Sequence, residues 1–269
     1  MRWADGAFGL LRWPNALLAA GGVVIGAWWV SGPPLGAPTW WTVGAAMGLT
    51  LLANAWNDAC DADIDRIAHP ERPIPSGRVD RRTAVIVALA GGAAGIIMSW
   101  IADPSLGILS IGVAVVMVVY SLRLKRRGLA GNLVVAVLAS LPFLYGAWSA
   151  GRPDHVIPLL SLAIPLHFAR EVAKDLEDVE GDRATRSTLP VALGAPAARK
   201  TVFGATVVFA IVVMLSAWRW PMLLVPGVLA LLPAAVATAR SIRGQHGGPA
   251  LFKTAMVAAL AGMVMVLVA

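Results

Sequence analysis

The chain has 269 residues, of which 58% are hydrophobic and only 14% are charged. Soluble domains are about half apolar and about a quarter charged, so this composition excludes an ordinary soluble domain and indicates a protein of the lipid bilayer. The net charge of +7 does not indicate a nucleic-acid partner, because the basic residues lie in short loops and form no basic face with interleaved aromatics.

Nine apolar segments follow one another along the chain, each long enough to cross a bilayer. Because backbone polar groups find no water in hydrocarbon, we expect every span to be a helix. The sequence shows no two-residue alternation of the kind that predicts a barrel. The predicted spans are residues 13–31, 38–57, 82–102, 105–122, 130–150, 154–174, 199–218, 221–240 and 250–268. We therefore predict an all-α integral membrane protein, with one domain of nine transmembrane helices over residues 1–269.

Lysines and arginines predict the orientation of these spans. Twenty of the 22 lie in the N-terminal segment or around the loops after spans two, four, six and eight; Arg152 and Arg219 lie on the other side. Basic residues concentrate in cytoplasmic loops. We expect a protein of the cell membrane whose N-terminus and even-numbered loops face the cytoplasm and whose C-terminus lies outside. Glycines 91, 92 and 95 of the third span are expected to allow close helix packing.

Acidic residues are concentrated in two segments on the predicted cytoplasmic side. Eleven of the fifteen lie within residues 58–71 and 171–182. Four predicted spans separate the two segments, a spacing compatible with an internal repeat of spans 1–4 and 5–8.

The first acidic segment has a helical spacing. Asn57, Asp61 and Asp65 are four residues apart and share one face, which Asp58 borders, whereas Asp63 points away. Stacked carboxylates repel one another, so a cation is expected to offset the repulsion.

The second acidic segment repeats this spacing, with Asp175, Asp178 and Asp182 at positions i, i+3 and i+7. Carboxylate and amide oxygens suit Mg²⁺, which binds through few carboxylates together with substrate phosphates. Two such faces opposed across a cavity predict a Mg²⁺-bound diphosphate. The alternative for either segment alone is a solvated acidic loop.

Basic residues lie next to these segments. Arg72 follows the first within a proline-rich stretch, Lys125 follows span four, and Lys174 precedes the second. Such side chains can neutralise a leaving diphosphate. The alternative is that they serve only as orientation signals.

Four motifs occur in order along the chain. They are Asn57-Asp58-x-x-Asp61-x-x-x-Asp65, Arg72-Pro-Ile-Pro-Ser-Gly77, Tyr120-Ser-x-x-Leu-Lys125 and Lys174-Asp175-x-x-Asp178-x-x-x-Asp182. In order, spacing and predicted membrane side they resemble the UbiA-type intramembrane prenyltransferases. Leu11-Arg12-Trp-Pro14-Asn15 also resembles the opening of that family, with Trp13 inserted between the arginine and the proline.

The resemblance implies a nine-helix bundle around a central cavity, with a cytoplasmic cap formed by the loops after helices two and six. It implies that Mg²⁺ and an isoprenoid diphosphate bind there, and that the prenyl group passes to a small or lipid acceptor. The implied metal ligands are Asn57, Asp58, Asp61, Asp65, Asp175, Asp178 and Asp182. The implied diphosphate contacts are Asn57, Arg72, Lys125 and Lys174; the catalytic set is Asp61, Asp65, Asp178, Asp182 and Tyr120; Arg12, Asn15 and Asn54 would face the cavity.

The second acidic segment, followed by Thr188-Leu-Pro190, is most similar to the branch of the family that makes digeranylgeranylglyceryl phosphate. That branch transfers a geranylgeranyl group to the hydroxyl of geranylgeranylglyceryl phosphate. The alternatives are an aromatic acceptor such as 4-hydroxybenzoate, a cation transporter and an inactive scaffold. A transporter is disfavoured because its ionisable residues would lie within the spans. The sequence does not define an oligomeric state.

Overall fold

The computed structural model describes residues 9–182 and 187–269, without the side chains of Ile67, Ala68 and Arg126. Every regular element within these residues is helical. Three of the basic residues that predict the orientation, Arg2, Arg183 and Arg186, lie outside the described residues.

The described residues form long helices joined by short turns. The first six are α1 (Trp13–Ser31), α2 (Ala37–Ala68), α3 (Arg81–Ala102), α4 (Pro104–Leu122), α5 (Leu129–Ser149) and α6 (Ile157–Glu177). The remainder are α7 (Val179–Asp182), α8 (Leu189–Leu193), α9 (Ala195–Arg219), α10 (Leu224–Ile242) and α11 (Gly248–Val268). Single 3-10 turns lie at Leu124–Arg126, Pro153–Val156 and Pro221–Leu223.

Within the described ranges, eight helices are long and apolar enough to cross a membrane. They are the long helices other than α2. The predicted second span is helical, but it lies within α2, which also carries threonines, tryptophans and the first acidic segment. The expectation of an all-helical integral membrane protein is therefore confirmed, and eight of the nine predicted spans meet this test.

Two aspartates cap the N-termini of α3 and α4. Asp80 accepts the backbone N–H of Thr83 at 2.8 Å and begins α3. Asp103 lies between α3 and α4 and accepts the N–H of Ser105 at 2.8 Å, with Pro104 in the first turn of the helix. Hydrogen bonds from the hydroxyl and the N–H of Ser105 hold the pKa of Asp103 below its usual value. These caps satisfy N–H groups that have no partner inside their own helix.

The chain divides into two compact units, the first comprising Met1–Leu124 and Tyr145–Pro153, the second comprising Lys125–Leu144 and Asp154–Ala269. The first unit therefore contains α1 to α4 and the second contains α6 to α11, while α5 contributes to both. The single domain and the internal repeat remain predictions.

Glycines bring α2 and α3 together in the first unit. A Cβ atom at Gly48 would lie 2.7 Å from the carbonyl oxygen of Gly91, and one at Gly95 would lie 2.9 Å from that of Ala45. Two helix backbones can approach so closely only where the residues in contact are glycine or similarly small. The expected packing role of the third-span glycines is confirmed.

The core of the second unit is formed by α6, α9, α10 and α11. Val172, Val202, Phe209, Ala234 and Phe252 are among the side chains buried there. Small alanines beside large aromatic side chains allow these helices to interlock. Packing in this core fixes the position of α6, which carries the first part of the second acidic segment.

Candidate active site

The first acidic segment lies on the last three turns of α2, and its aspartates differ sharply in exposure. Asp58, Asp61 and Asp65 are 2%, 5% and 3% exposed. The Asp63 side chain is 74% exposed and pairs with Arg66 at 3.5 Å, one helical turn away. The expected face is confirmed: three carboxylates are buried and Asp63 points into solvent.

Arg72 supplies a cation to this face. Its Nη1 donates to both carboxylate oxygens of Asp65, at 2.7 and 2.6 Å. The turn after α2 holds the arginine, because its N–H donates to His69 and its carbonyl accepts the N–H of Ser76. Both side chains of this ion pair are largely buried, so solvent screens it little.

Arg12 supplies the second cation, to Asp58. Its backbone is left-handed, with φ 47° and ψ 58°, where it precedes α1. Residues other than glycine rarely adopt this backbone conformation, which costs about 1 kcal/mol or more. One turn before Asp58, the Asn54 amide donates to the carbonyl of Leu11 at 3.0 Å. The segment before α1 is therefore joined to α2 at two positions.

One carboxylate oxygen on this face indicates whether the face suits Mg²⁺. The Oδ2 atom of Asp58 is buried and has no hydrogen-bond partner among the described residues. Burying an unpaired carboxylate oxygen is costly, and a bound cation would remove the cost. The described residues form no group of three or more His, Cys, Asp or Glu arranged to hold a metal. Mg²⁺ needs only one or two carboxylates when substrate phosphates supply the other ligands, so the residues present fit the ion.

The second acidic segment is not one uninterrupted helix. α6 ends at Glu177, Asp178 caps it with φ −89° and ψ 2°, and α7 starts at Val179. The three aspartates therefore do not lie on one uninterrupted helix, and their common face stays a prediction. The N–H of Asp182 nevertheless donates to the carbonyl of Asp178 at 3.0 Å. Asp182 is buried, whereas Asp175 and Asp178 are half-buried.

The sequence motifs did not identify Asn132 as a residue of the site. It lies in the first turn of α5 and donates from Nδ2 to the Oδ2 atom of Asp175 at 2.9 Å. The signal was an amide side chain at the start of an apolar span, where polar residues commonly have a functional partner.

Glu177 has a different role from its acidic neighbours. Its Oε1 atom accepts the backbone N–H groups of Gly247 and Gly248, at 2.7 and 3.0 Å. These groups begin α11, whose positive end favours a carboxylate. Glu177 therefore links α6 to α11.

The predicted lysines of this unit lie near another carboxylate. Glu171 is paired with Arg170, and the charges of Lys174 and Lys125 also act on it. The remaining predicted residues, Asn15, Asn57 and Tyr120, are half-buried on α1, α2 and α4 respectively.

The fold and these side chains define a helical membrane protein whose buried carboxylates lie beside arginine side chains. The chain belongs to the UbiA prenyltransferase family, whose model matches residues 17–266. Its enzyme class is therefore that of a prenyltransferase.

Relatives of the chain resemble it along most of its length. It is 36% identical over 281 residues to the digeranylgeranylglyceryl phosphate synthase of Halobacterium salinarum, a match that covers 98% of each chain. It is also 36% identical to the enzyme of the same name from Methanopyrus kandleri, over 88% of each chain.

Solved structures share the fold at lower identity. A UbiA homolog from Aeropyrum pernix is similar with a TM-score of 0.78 and 18% identity, over 98% of each chain. A UbiA homolog from Archaeoglobus fulgidus, bound to GPP and Mg²⁺, has a TM-score of 0.73 and 17% identity, over 98% of this chain and 100% of the other.

Proposed function

We propose that this protein transfers a geranylgeranyl group from its diphosphate to the hydroxyl of geranylgeranylglyceryl phosphate, with Mg²⁺ as cofactor, in ether-lipid synthesis. The observation that carries the proposal is 36% identity to digeranylgeranylglyceryl phosphate synthase over 98% of the chain. At that coverage, both acidic segments and the basic residues near them fall within the match.

Aspartates of both segments, together with one asparagine, take part in binding Mg²⁺ and the diphosphate. In the first unit these residues are Asn57, Asp58, Asp61 and Asp65; in the second they are Asp175, Asp178 and Asp182. Mg²⁺, when bound, supplies positive charge to the leaving diphosphate. The buried Oδ2 of Asp58, which has no hydrogen-bond partner within residues 9–182 and 187–269, supports this role. The Archaeoglobus fulgidus neighbour bound to GPP and Mg²⁺ supports the choice of cofactor.

The cations of each unit stabilise the negative charge that develops on the diphosphate as its bond to carbon breaks. Arg72, Lys125 and Lys174 have this role. Arg12 and Asn15, with Asn54, face the substrate from the start of α1 and from α2.

The reaction proceeds in a dry environment. The allylic C–O bond breaks with its electron pair moving to the diphosphate, and Tyr120 lies near the allylic cation that remains. The acceptor hydroxyl oxygen then forms the new C–O bond, and its proton passes to the released diphosphate. Apolar helices exclude water, which would otherwise capture the cation.

The membrane arrangement completes the proposal. α2 spans the bilayer together with the eight helices that meet the length and hydropathy test, which makes nine. The loops after the second and sixth helices form a cytoplasmic cap, with the N-terminus in the cytoplasm and the C-terminus outside the cell. The placement of the basic residues supports this orientation.

A product assay tests the proposed function. Purified protein in detergent is incubated with Mg²⁺, geranylgeranyl diphosphate and either geranylgeranylglyceryl phosphate or 4-hydroxybenzoate, and products are identified by mass. We expect the ether lipid and one pyrophosphate per turnover, and no product in EDTA. Product with the aromatic acid alone would replace the lipid acceptor. Absence of product with both acceptors would overturn the proposal.

A further inference from the structure

Asn132 occupies a fixed position in the second unit. It is 6% exposed and lies in the first turn of α5, with its N–H bonded to the carbonyl of Gly128 at 3.1 Å. Gly128 has φ +52°, and a Cβ there would approach the carbonyl oxygen of Ser187 to 3.2 Å. Because residues with a Cβ are disfavoured in this conformation and at this close contact, Gly128 fixes the turn that begins α5.

The partner of Asn132 is a half-buried carboxylate on which the charges of one lysine and two acidic side chains act. Asp175 accepts the Asn132 amide at 2.9 Å, and the charges of Glu171 and Asp182 act on it together with that of Lys174. A hydrogen bond from an amide sets the direction of the carboxylate without cancelling its charge.

This arrangement differs from that of the first unit. There the Asp65 carboxylate is bonded by the guanidinium of Arg72, a full positive charge. Asp175 accepts its 2.9 Å bond from a neutral amide. A neutral partner that orients a carboxylate leaves its charge for a cation, as in metal sites where an outer hydrogen bond holds a ligand in position.

We infer that Asn132 is a positioning residue, which holds the Asp175 carboxylate in the orientation that binds Mg²⁺–diphosphate. The inference rests on the proposed function, because it takes Asp175 as a ligand of that group. It assigns to the start of α5 a part in the site that the acidic motifs do not indicate.

Ligand-dependent thermal stability tests this role without turnover. The melting temperature of the full chain in detergent is measured while Mg²⁺ is titrated at a fixed concentration of inorganic pyrophosphate. A ligand that binds only the folded state raises the melting temperature. For Asn132→Leu we expect the half-saturating Mg²⁺ concentration to rise by about tenfold or more, the usual effect of removing the hydrogen-bond partner of a metal ligand.

Control variants separate positioning from simple packing. Ser140→Ala removes a buried hydroxyl of the same helix that donates to the carbonyl of Ala136 at 2.8 Å; it should leave the Mg²⁺ dependence unchanged. In an Asp175→Asn background, Asn132→Leu should produce no further change, because coupled positions are not additive. Leucine is larger than asparagine and serine is smaller, so Asn132→Ser avoids overpacking and serves if the leucine variant does not fold.

Each outcome is decisive. A lower melting temperature without ligand, with unchanged half-saturation by Mg²⁺ in either stable variant, would overturn positioning and leave the proposed function intact. If Mg²⁺ with pyrophosphate does not raise the melting temperature of the unaltered protein, both the positioning role and the proposed function are overturned.

Discussion

At the scale of single residues, exposure and the bonded partner distinguish the aspartates of the first acidic segment. Asp65 is bonded by Arg72 and Asp58 by Arg12, and both carboxylates are buried. Asp63, on the same helix, is exposed and has only a loose pair with Arg66. A buried charge without a partner is costly, whereas an exposed one contributes little to stability.

Asp61→Asn should lower turnover by at least about a hundredfold, because a neutral amide cannot replace a carboxylate that offsets metal charge at the diphosphate. Its matched control is Asp63→Asn, two residues away and exposed, which should stay within about twofold of the original rate because exposed ion pairs contribute little. Initial rates of pyrophosphate release at saturating Mg²⁺ measure both. Equal rates for the two variants would refute the assignment of Asp61.

Arg12→Leu should destabilise the protein by about 3 kcal/mol, since it leaves the buried Asp58 carboxylate without its cation. The double variant Arg12→Leu/Asp58→Asn should recover part of that loss, because the uncompensated charge is gone. Thermal unfolding in detergent measures both. If the double variant were no more stable than the single one, the ion pair would not account for the effect.

At the scale of elements, α2 combines two tasks that impose different residues on it. Its N-terminal half packs against α3 through Gly48, and its C-terminal half carries the acidic segment. Close contact of the two backbones positions the helix without long side chains. Changes in this packing should therefore affect stability before they affect chemistry.

Gly95→Ala should destabilise the protein by about 1–3 kcal/mol, because the added methyl meets backbone atoms of Ala45 and Leu49 at 2.9 and 3.0 Å. Gly112→Ala on α4 is the control, since nothing lies within 4 Å of a Cβ there. Alanine is the better helix former, so Gly112→Ala should be neutral or slightly stabilising. Melting temperatures that shift equally in both variants would show that close packing is not the cause.

At the scale of the whole molecule, apolar side chains face outward on most helices. Trp218, Leu232 and Met214 are 92%, 74% and 73% exposed. In water such a surface would associate, whereas in a bilayer it contacts lipid. The basic residues in and beside the short loops predict which loops face the cytoplasm.

Cysteine labelling tests this orientation. In a Cys60→Ser background, cysteines are introduced at Asp154 and Gln245, both exposed. An impermeant maleimide should label position 154 in intact cells and position 245 only after permeabilisation, because Gln245 lies in a predicted cytoplasmic loop. The reverse pattern would invert the proposed orientation, and labelling of both in intact cells would contradict the predicted number of spans.

Much of the architecture was predictable from the sequence, because apolar length and helical spacing are local properties of the chain. The spans were located to within a few residues, although α2 continues to Ala68 and α6 gives way to α7 at Asp178. These helix boundaries were less predictable, because hydropathy indicates where a helix enters the membrane and not where its backbone hydrogen bonds end. The buried face of Asp61 and the exposed position of Asp63 also followed from spacing alone.

Tertiary structure decided the partners of three carboxylates, those of Asp58, Asp175 and Glu177. Asp58 pairs with Arg12, 46 residues away, and Asp175 with Asn132, 43 residues away; Glu177 resembles its acidic neighbours in sequence and caps α11 instead. The sequence by itself determined a membrane-embedded helical protein with two acidic segments, because each of these properties depends on neighbouring residues. Hydrogen bonds between distant residues depend on which helices pack together, so only the folded chain could identify them.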